Sequence, residues 1–236
     1  MPLIDLANPT RFLNLSGRVL PWLGAATLLA FAIGINQAIL APDDYQQGAT
    51  VKIMFIHVPA AWLGMFGWGL MTIAALGTLV WRHPLADVAA KAAAPIGAAF
   101  TLMCLVTGSL WGRPMWGTYW VWDARLTSFL LLLFLYVGYM ALWNAIEDET
   151  RAARAAAILA LVGVVNIPII KFSVEWWSTL HQGESIVSGK LAPVFLAPLL
   201  LLMAGYGFLF ASLWMVRIRT AILERRARTL MQQAAQ

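Results

Sequence analysis

Long runs of apolar residues, separated by short polar segments, make up most of this chain of 236 residues. A helix needs about 20 mostly apolar residues to cross the hydrocarbon core of a bilayer. Six runs fit this requirement, although the fifth is short and is expected to extend past Lys171. The pattern therefore predicts an all-α integral membrane protein with six transmembrane helices, at about residues 19–41, 58–81, 92–112, 126–146, 155–170 and 191–216.

Composition supports a membrane protein and narrows its chemistry. Hydrophobic residues make up 61% of the chain and charged residues only 11%, whereas soluble domains carry about 25% charged residues. The net charge of +5 is distributed as loop charge at a membrane, so we expect no nucleic-acid partner. No repeat or long linker divides the sequence, which predicts a single domain over residues 1–236. Cys104 is the only cysteine, which excludes a disulfide and the C-x-x-C-H signature of covalent haem attachment.

Lysine and arginine predict the orientation of the bundle. Eleven of the 16 lie in the N-terminus, the 82–91 and 147–154 loops and the C-terminus, and five lie on the other side. Cytoplasmic loops carry the excess of positive charge. Both termini are therefore predicted to be cytoplasmic, and residues 42–57, 113–125 and 171–190 to form the outer segments. In a Gram-negative bacterium these outer segments would be periplasmic.

The outer segment 113–125, with the preceding Trp111, is unusually rich in aromatic rings edged by charge. In a helix, Trp116, Tyr119, Trp120 and Asp123 would fall on one face. Such a stripe favours a platform for a large planar ligand. A belt of aromatic residues at the membrane–water boundary and an interfacial amphipathic helix remain alternatives.

Two of the three histidines share the outer side with this segment. His57 comes just before the second span, and His181 lies in the third outer segment. Haem iron accepts axial nitrogen ligands, a porphyrin stacks on aromatic rings, and its propionates pair with basic side chains. Candidate propionate partners are Arg113, Arg125 and Lys171. Alternatively, each histidine is a hydrogen-bonded residue at a helix end.

Two charged residues of the segment also have structural interpretations. Asp123 is placed to cap the fourth span by accepting N–H bonds from Arg125 or Leu126, and it can combine this with a ligand-site role. Arg125 is equally suited to anchor the helix at the interface. Two histidines without a carboxylate make a poor zinc site. The sequence has no Gly-rich phosphate loop, so we expect no ATP hydrolysis by the chain itself.

Several classes of function remain open at this point. A membrane b-type cytochrome would place histidine pairs inside the spans, where none occur. A small-molecule permease and a purely structural transporter subunit are further alternatives. The near absence of ionisable residues within the spans argues against a proton-coupled carrier.

The run Trp116-Gly-Thr-Tyr119-Trp120-Val-Trp122-Asp123-Ala-Arg125 resembles the tryptophan-rich signature of the haem-handling proteins of cytochrome c maturation. The stretches 55–62 and 166–183 are similar to the same family, so the resemblance covers most of residues 50–183. Chain length, six spans and one histidine on each side of the signature resemble the haem exporter protein C branch. Tyr119 departs from the tryptophan expected there but keeps a stacking ring.

The resemblance implies a haem-presenting subunit of the bacterial inner membrane rather than an enzyme. Haem b would be held transiently and non-covalently, with His57 and His181 as axial ligands of the iron. The implied partners are the haem chaperone, cytochrome c maturation protein E, and proteins A, B and D, which form an ATP-binding cassette complex with a small membrane subunit. The implied haem-binding surface comprises Trp116, Tyr119, Trp120, Trp122, Asp123, Arg125 and Arg113.

Overall fold

The computed structural model describes residues 8–83, 85–177, 179–181 and 191–235. Seven α-helices and one 3-10 helix (Ala49–Ile53) account for the secondary structure of these residues, apart from an isolated bridge between Asp44 and Gly48. The α-helices are α1 (Pro9–Leu40), α2 (Met54–Leu79), α3 (Ala86–Trp116), α4 (Ala124–Ala145), α5 (Glu149–Gly163), α6 (Asn166–Trp176) and α7 (Pro193–Ala234).

Six stretches of helix in this part of the chain are long and apolar enough to cross a membrane, which confirms the predicted all-α fold with six spans. Helices α5 and α6 together form the fifth span, Glu149–Trp176. It is interrupted at Val164 and Val165, between the two helices. Pro168 explains the break, because a proline lacks an N–H group and its ring clashes with the carbonyl four residues earlier, here that of Val164.

The first and last helices extend further into the polar flanks than hydropathy predicts. Helix α1 begins at Pro9 because the Asn8 side chain caps it, accepting the N–H groups of Thr10 and Arg11. Helix α7 continues to Ala234. Ion pairs hold its extension to the bundle: Arg225 lies 2.6 Å from Asp87 of α3.

The core of the bundle combines small residues with large aliphatic and aromatic side chains, among them Trp68 and Tyr136. Trp68 and Tyr136 are fully buried and meet edge to face with ring centroids 5.0 Å apart. The Tyr136 hydroxyl donates to the carbonyl of Gly64 at 2.7 Å, and the Trp68 indole donates to the carbonyl of Ala160 at 3.2 Å. These bonds satisfy polar groups that apolar surroundings would otherwise penalise, and they fix α2 against α4 and α5.

The start of α2, the end of α3, the start of α4 and the residues after α6 meet at one end of the bundle. This is the end on which the outer segments 42–57 and 113–125 were predicted to lie. Residues 182–190 of the third predicted outer segment lie outside the described residues. Side chains from four separate parts of the sequence therefore converge on one place.

The predicted helical stripe of Trp116, Tyr119, Trp120 and Asp123 is wrong. Helix α3 ends at Trp116, and the next residue, Gly117, has a left-handed backbone with φ of 77°. A glycine in this conformation is a common end of a helix. Residues 117–123 form bends and irregular backbone before α4 begins. Trp116 and Trp120 nevertheless both reach the same pocket, through tertiary folding rather than helical periodicity.

Candidate functional site

A cavity of about 50 Å³ lies at this end of the bundle. It brings together both outer histidines, two tryptophans and a guanidinium group that the sequence predicts on the outer side, and it adds a close-packed glycine of α3. The side chains and backbone that line it include His57, Gly108, Trp116, Trp120, Arg125 and His181.

His57 lies in the first turn of α2, rather than in the loop before the span as predicted, and it is buried. Its Nδ1 lies 3.1 Å from the carbonyl oxygen of Cys104 on α3 and 3.1 Å from the Thr107 hydroxyl. A carbonyl only accepts hydrogen bonds, so this contact favours the tautomer in which Nδ1 carries the proton. The lone pair on Nε2 is then available to a metal, and the carbonyl holds the ring in place.

The close approach of α3 to His57 requires a glycine. A Cβ atom at Gly108 would lie 2.9 Å from Cε1 of the His57 ring. Since the ring is already fixed through Nδ1, it has little freedom to move away from an added methyl group. Gly108 therefore sets the position of His57, a role that the sequence alone did not reveal.

His181 faces the same cavity from the segment after α6. Its ring centroid lies 6.2 Å from that of His57, at an interplanar angle of 45°, and 5.4 Å from that of Trp116. Burial, with the positive charge of Arg125 as a second cause, lowers the pKa of His181 from 6.5 to about 4. The ring is thus neutral at neutral pH, the form that binds metals.

Asp123 caps α4, as predicted, by accepting the N–H of Leu126 at 2.8 Å through Oδ1. Its second oxygen, Oδ2, accepts the hydroxyl of Thr179 at 2.5 Å. Thr179 in turn accepts the backbone N–H of His181 at 2.9 Å. Asp123 therefore reaches the cavity indirectly, through the segment that carries His181.

The two arginines of the aromatic segment differ in position. Arg125 lines the cavity, and its Nε donates to the Ser173 hydroxyl at 2.9 Å. Arg113 is turned outward, where it donates to the Gly117 carbonyl and lies 5.5 Å from the Tyr119 ring centroid. Of the two, only Arg125 is placed to meet a ligand inside the cavity.

The aromatic residues divide in the same way. Trp116 and Trp120 line the cavity, whereas Trp122 is 74% exposed and Tyr119 is 56% exposed. Trp122 packs edge to face against Trp120 with ring centroids 5.4 Å apart. The indole N–H of Trp120 is buried and has no hydrogen-bond partner among the described residues. An inner pair and an outer pair of rings thus replace the single platform expected from the sequence.

The separation of the histidines can be compared with that of two ligands on one metal ion. Metal–imidazole bonds of about 2.0–2.1 Å, with half of each ring added, bring the centres of two opposed ligand rings to about 6 Å. The observed 6.2 Å between the His57 and His181 centroids fits this spacing. The cavity, however, is smaller than the engineered one of about 150 Å³ that holds benzene. A porphyrin therefore requires the cavity to open.

The fold and the site together define a polytopic membrane protein in which two histidines from separate segments face each other across an aromatic cavity. Comparison with known proteins identifies the family within this class. The family model described as heme exporter protein C matches residues 2–233, and the chain belongs to this family. The resemblance drawn from the tryptophan-rich signature is thereby confirmed.

Three relatives illustrate the extent of the similarity. Heme exporter protein C of Bradyrhizobium diazoefficiens is 67% identical over 233 residues, which cover 98% of this chain and 89% of the relative. The Escherichia coli K12 protein of the same name is 50% identical, over 93% of this chain and 90% of its own length. That of Paracoccus denitrificans is 46% identical, with 98% of both chains covered. The similarity thus extends over nearly the whole fold.

Proposed function

We propose that this chain binds haem between His57 and His181 and presents it to a periplasmic haem chaperone for cytochrome c maturation. The observation that carries the proposal is the pair of histidine rings facing each other across a buried cavity, with centroids 6.2 Å apart. Membership of the heme exporter protein C family agrees with a haem-related role. Haem is the cargo here, so the chain needs groups that hold it and also groups that let it leave.

The two proposed iron ligands differ in how firmly they are held. His57 belongs to a transmembrane helix, and its ring is bonded to the Cys104 carbonyl. His181 follows the end of α6, and its Nδ1 has no partner among the described residues. When the cavity opens to admit a porphyrin, His181 is therefore the ligand that moves. We expect the same ligand to release the iron first during transfer.

The remaining side chains of the cavity suit the rest of the haem molecule. Trp116 and Trp120 offer ring faces and edges to the porphyrin. Arg125 brings a guanidinium group that can donate charge-assisted hydrogen bonds to a propionate. The unpartnered N–H of Trp120 supplies one further donor. Covalent attachment is not part of the proposal, since Cys104 is the only thiol of the chain.

The exposed residues of the aromatic segment suit a partner better than the porphyrin. Trp122 and Tyr119 stand outside the cavity, and Tyr119 lies beside the outward-facing Arg113. Aromatic residues and arginine are enriched in protein interfaces relative to the rest of the surface. We assign this outer group to contact with the chaperone, cytochrome c maturation protein E, or with lipid at the interface.

The excess of lysine and arginine at the opposite end supports an inner-membrane orientation with both termini in the cytoplasm. The haem site is then periplasmic. ATP hydrolysis belongs to partner subunits, for which we propose the complex of cytochrome c maturation proteins A and B with the small membrane protein D. The absence of a phosphate-binding loop in the sequence agrees with this division of labour.

The proposal is tested by chaperone loading in cells that lack their own copy of this protein. The chaperone is co-expressed with the wild-type chain or with the Arg125→Ala variant, and haem covalently bound to the chaperone is measured. We expect strong loading with the wild-type chain, and at least about tenfold less with the variant because a buried charge-assisted contact is lost. Equal loading in the presence and absence of the wild-type chain would overturn the proposal.

Gly108 provides a prediction specific to the site. The Gly108→Ala substitution adds a methyl group 2.9 Å from the His57 ring, so it should displace the ring and weaken haem binding by about tenfold. Gly207→Ala is the matched control, because its added methyl group meets no atom within 4 Å. The measurement is titration of both purified proteins with haem. Equal haem affinities of the Gly108→Ala and Gly207→Ala proteins would exclude a role for Gly108 in placing His57.

A further inference from the structure

The Thr179 hydroxyl joins two parts of the site that are far apart in the sequence. Its Oγ1 lies 2.5 Å from Oδ2 of Asp123 and 2.9 Å from the backbone nitrogen of His181. An ionised carboxylate only accepts hydrogen bonds, and a backbone N–H only donates. The direction of both bonds is therefore fixed: Thr179 donates to Asp123 and accepts from His181.

Asp123, which accepts the hydrogen bond from Thr179, is itself held in place by the fold. Its other oxygen accepts the N–H of Leu126 at 2.8 Å and so belongs to the cap of α4, a transmembrane helix. Hydrogen bonds to a charged acceptor are shorter and about twice as strong as neutral ones. The backbone of His181 is thereby tied to the start of α4 through a single hydroxyl group.

Among the described residues, the imidazole ring of His181 is packed against Trp116 and His57 but is not held by a hydrogen bond to its buried Nδ1. His57, by contrast, is held directly through Nδ1 by the Cys104 carbonyl. The direction of the His181 ring therefore depends strongly on where its backbone is held, and the described bond to that backbone comes from Thr179.

We propose that Thr179 is the positioning residue for His181 as an iron ligand. This inference rests on the proposed haem-binding function. Thr179 keeps the His181 segment docked against the cap of α4, at the ring separation that two axial ligands require. Since Asp123 belongs to the aromatic segment and accepts from Thr179, a displacement of Asp123 also moves Thr179 and with it His181. Thr179 thus links the outer aromatic group to the release of the iron.

The role of Thr179 is tested with two variants of the full-length chain, purified in detergent and loaded with ferric haem. Thr179→Val removes the hydroxyl at nearly constant volume, whereas Thr179→Ser keeps it and is the matched control. The readouts are the spin state of the iron by electron paramagnetic resonance and the rate of haem loss to apomyoglobin. A general loosening of the protein would not by itself change the spin state of the iron.

For Thr179→Val we expect part of the haem to change from the low-spin to the high-spin form, and haem to leave about tenfold faster. Added imidazole should restore the low-spin signal, because it replaces a displaced histidine. Thr179→Ser should match the wild-type chain. If Thr179→Val does not fold, Asp123→Asn takes its place: its amide oxygen still caps α4, but its NH₂ group cannot accept from Thr179.

The possible outcomes separate this inference from the function on which it rests. A wild-type chain without low-spin haem would contradict the haem-binding proposal itself. Low-spin haem in the wild-type chain, with an unchanged spin state and unchanged haem loss in Thr179→Val or in Asp123→Asn, would overturn only the role of Thr179. A high-spin Thr179→Ser protein would also overturn it, since the hydroxyl is retained.

Discussion

The variant in which His57 and His181 are both replaced with alanine is expected to purify with at least about tenfold less haem than the wild-type chain. Both proposed axial ligands are removed, and only stacking and the Arg125 contact remain. Of the single variants, His57→Ala should lose more haem than His181→Ala, because the His57 ring is held in place by the Cys104 carbonyl before haem arrives. The measurement is the Soret absorbance per mole of protein.

His83→Ala is the matched control for the double variant. His83 is the third histidine of the chain, and its Nδ1 accepts the N–H of Leu85 between α2 and α3, away from the cavity. We expect its haem content to equal that of the wild-type chain. An unchanged Soret band in the double variant would contradict the ligand assignment.

Replacement of Gly97 with alanine is expected to lower the stability of the fold by about 1–3 kcal/mol or more, because it overpacks the core. An alanine Cβ at this position would come within 2.1 Å of the Tyr136 hydroxyl oxygen. Tyr136 is fully buried and bonded to the Gly64 carbonyl. The ring cannot move away without breaking that bond or disturbing Trp68. The measurement is thermal unfolding of the purified protein in detergent.

Gly69→Ala on α2 separates this overpacking from the general effect of removing a helical glycine. Its added methyl group meets no atom within 4 Å, so the better helix propensity of alanine should leave stability unchanged or slightly raised. Equal melting temperatures for Gly97→Ala and Gly69→Ala would show that α3 and α4 are packed less closely than described.

The number of spans was predictable because the bilayer imposes one length and one composition on every crossing helix. The helix ends were less predictable. The extension of α7 to Ala234 is polar, and its contacts with α3 depend on the Arg225–Asp87 ion pair, which joins residues far apart in sequence. The break in the fifth span was not predicted from hydropathy, although Pro168 accounts for it.

The candidate site was predictable in its components but not in its arrangement. The distribution of lysine and arginine predicts that His57, His181 and the tryptophans of the aromatic segment lie on one side of the membrane. Helical periodicity then failed beyond Trp116, because Gly117 turns the backbone into the left-handed region. One partner of His57 is the backbone carbonyl of Cys104, which the identity of the residue does not predict. The contact between Asp123 and Thr179 joins two segments that only the tertiary fold brings together.

In the proposed complex, one haem iron is bound by both His57 and His181. Near-infrared magnetic circular dichroism of ferric haem in the purified wild-type chain tests this ligand assignment most directly, because the charge-transfer band identifies the two axial ligands. We predict the low-spin signature of two imidazole ligands, lost when either histidine is replaced with alanine. A high-spin spectrum of the wild-type chain, or a bis-imidazole spectrum that survives either substitution, would contradict this assignment.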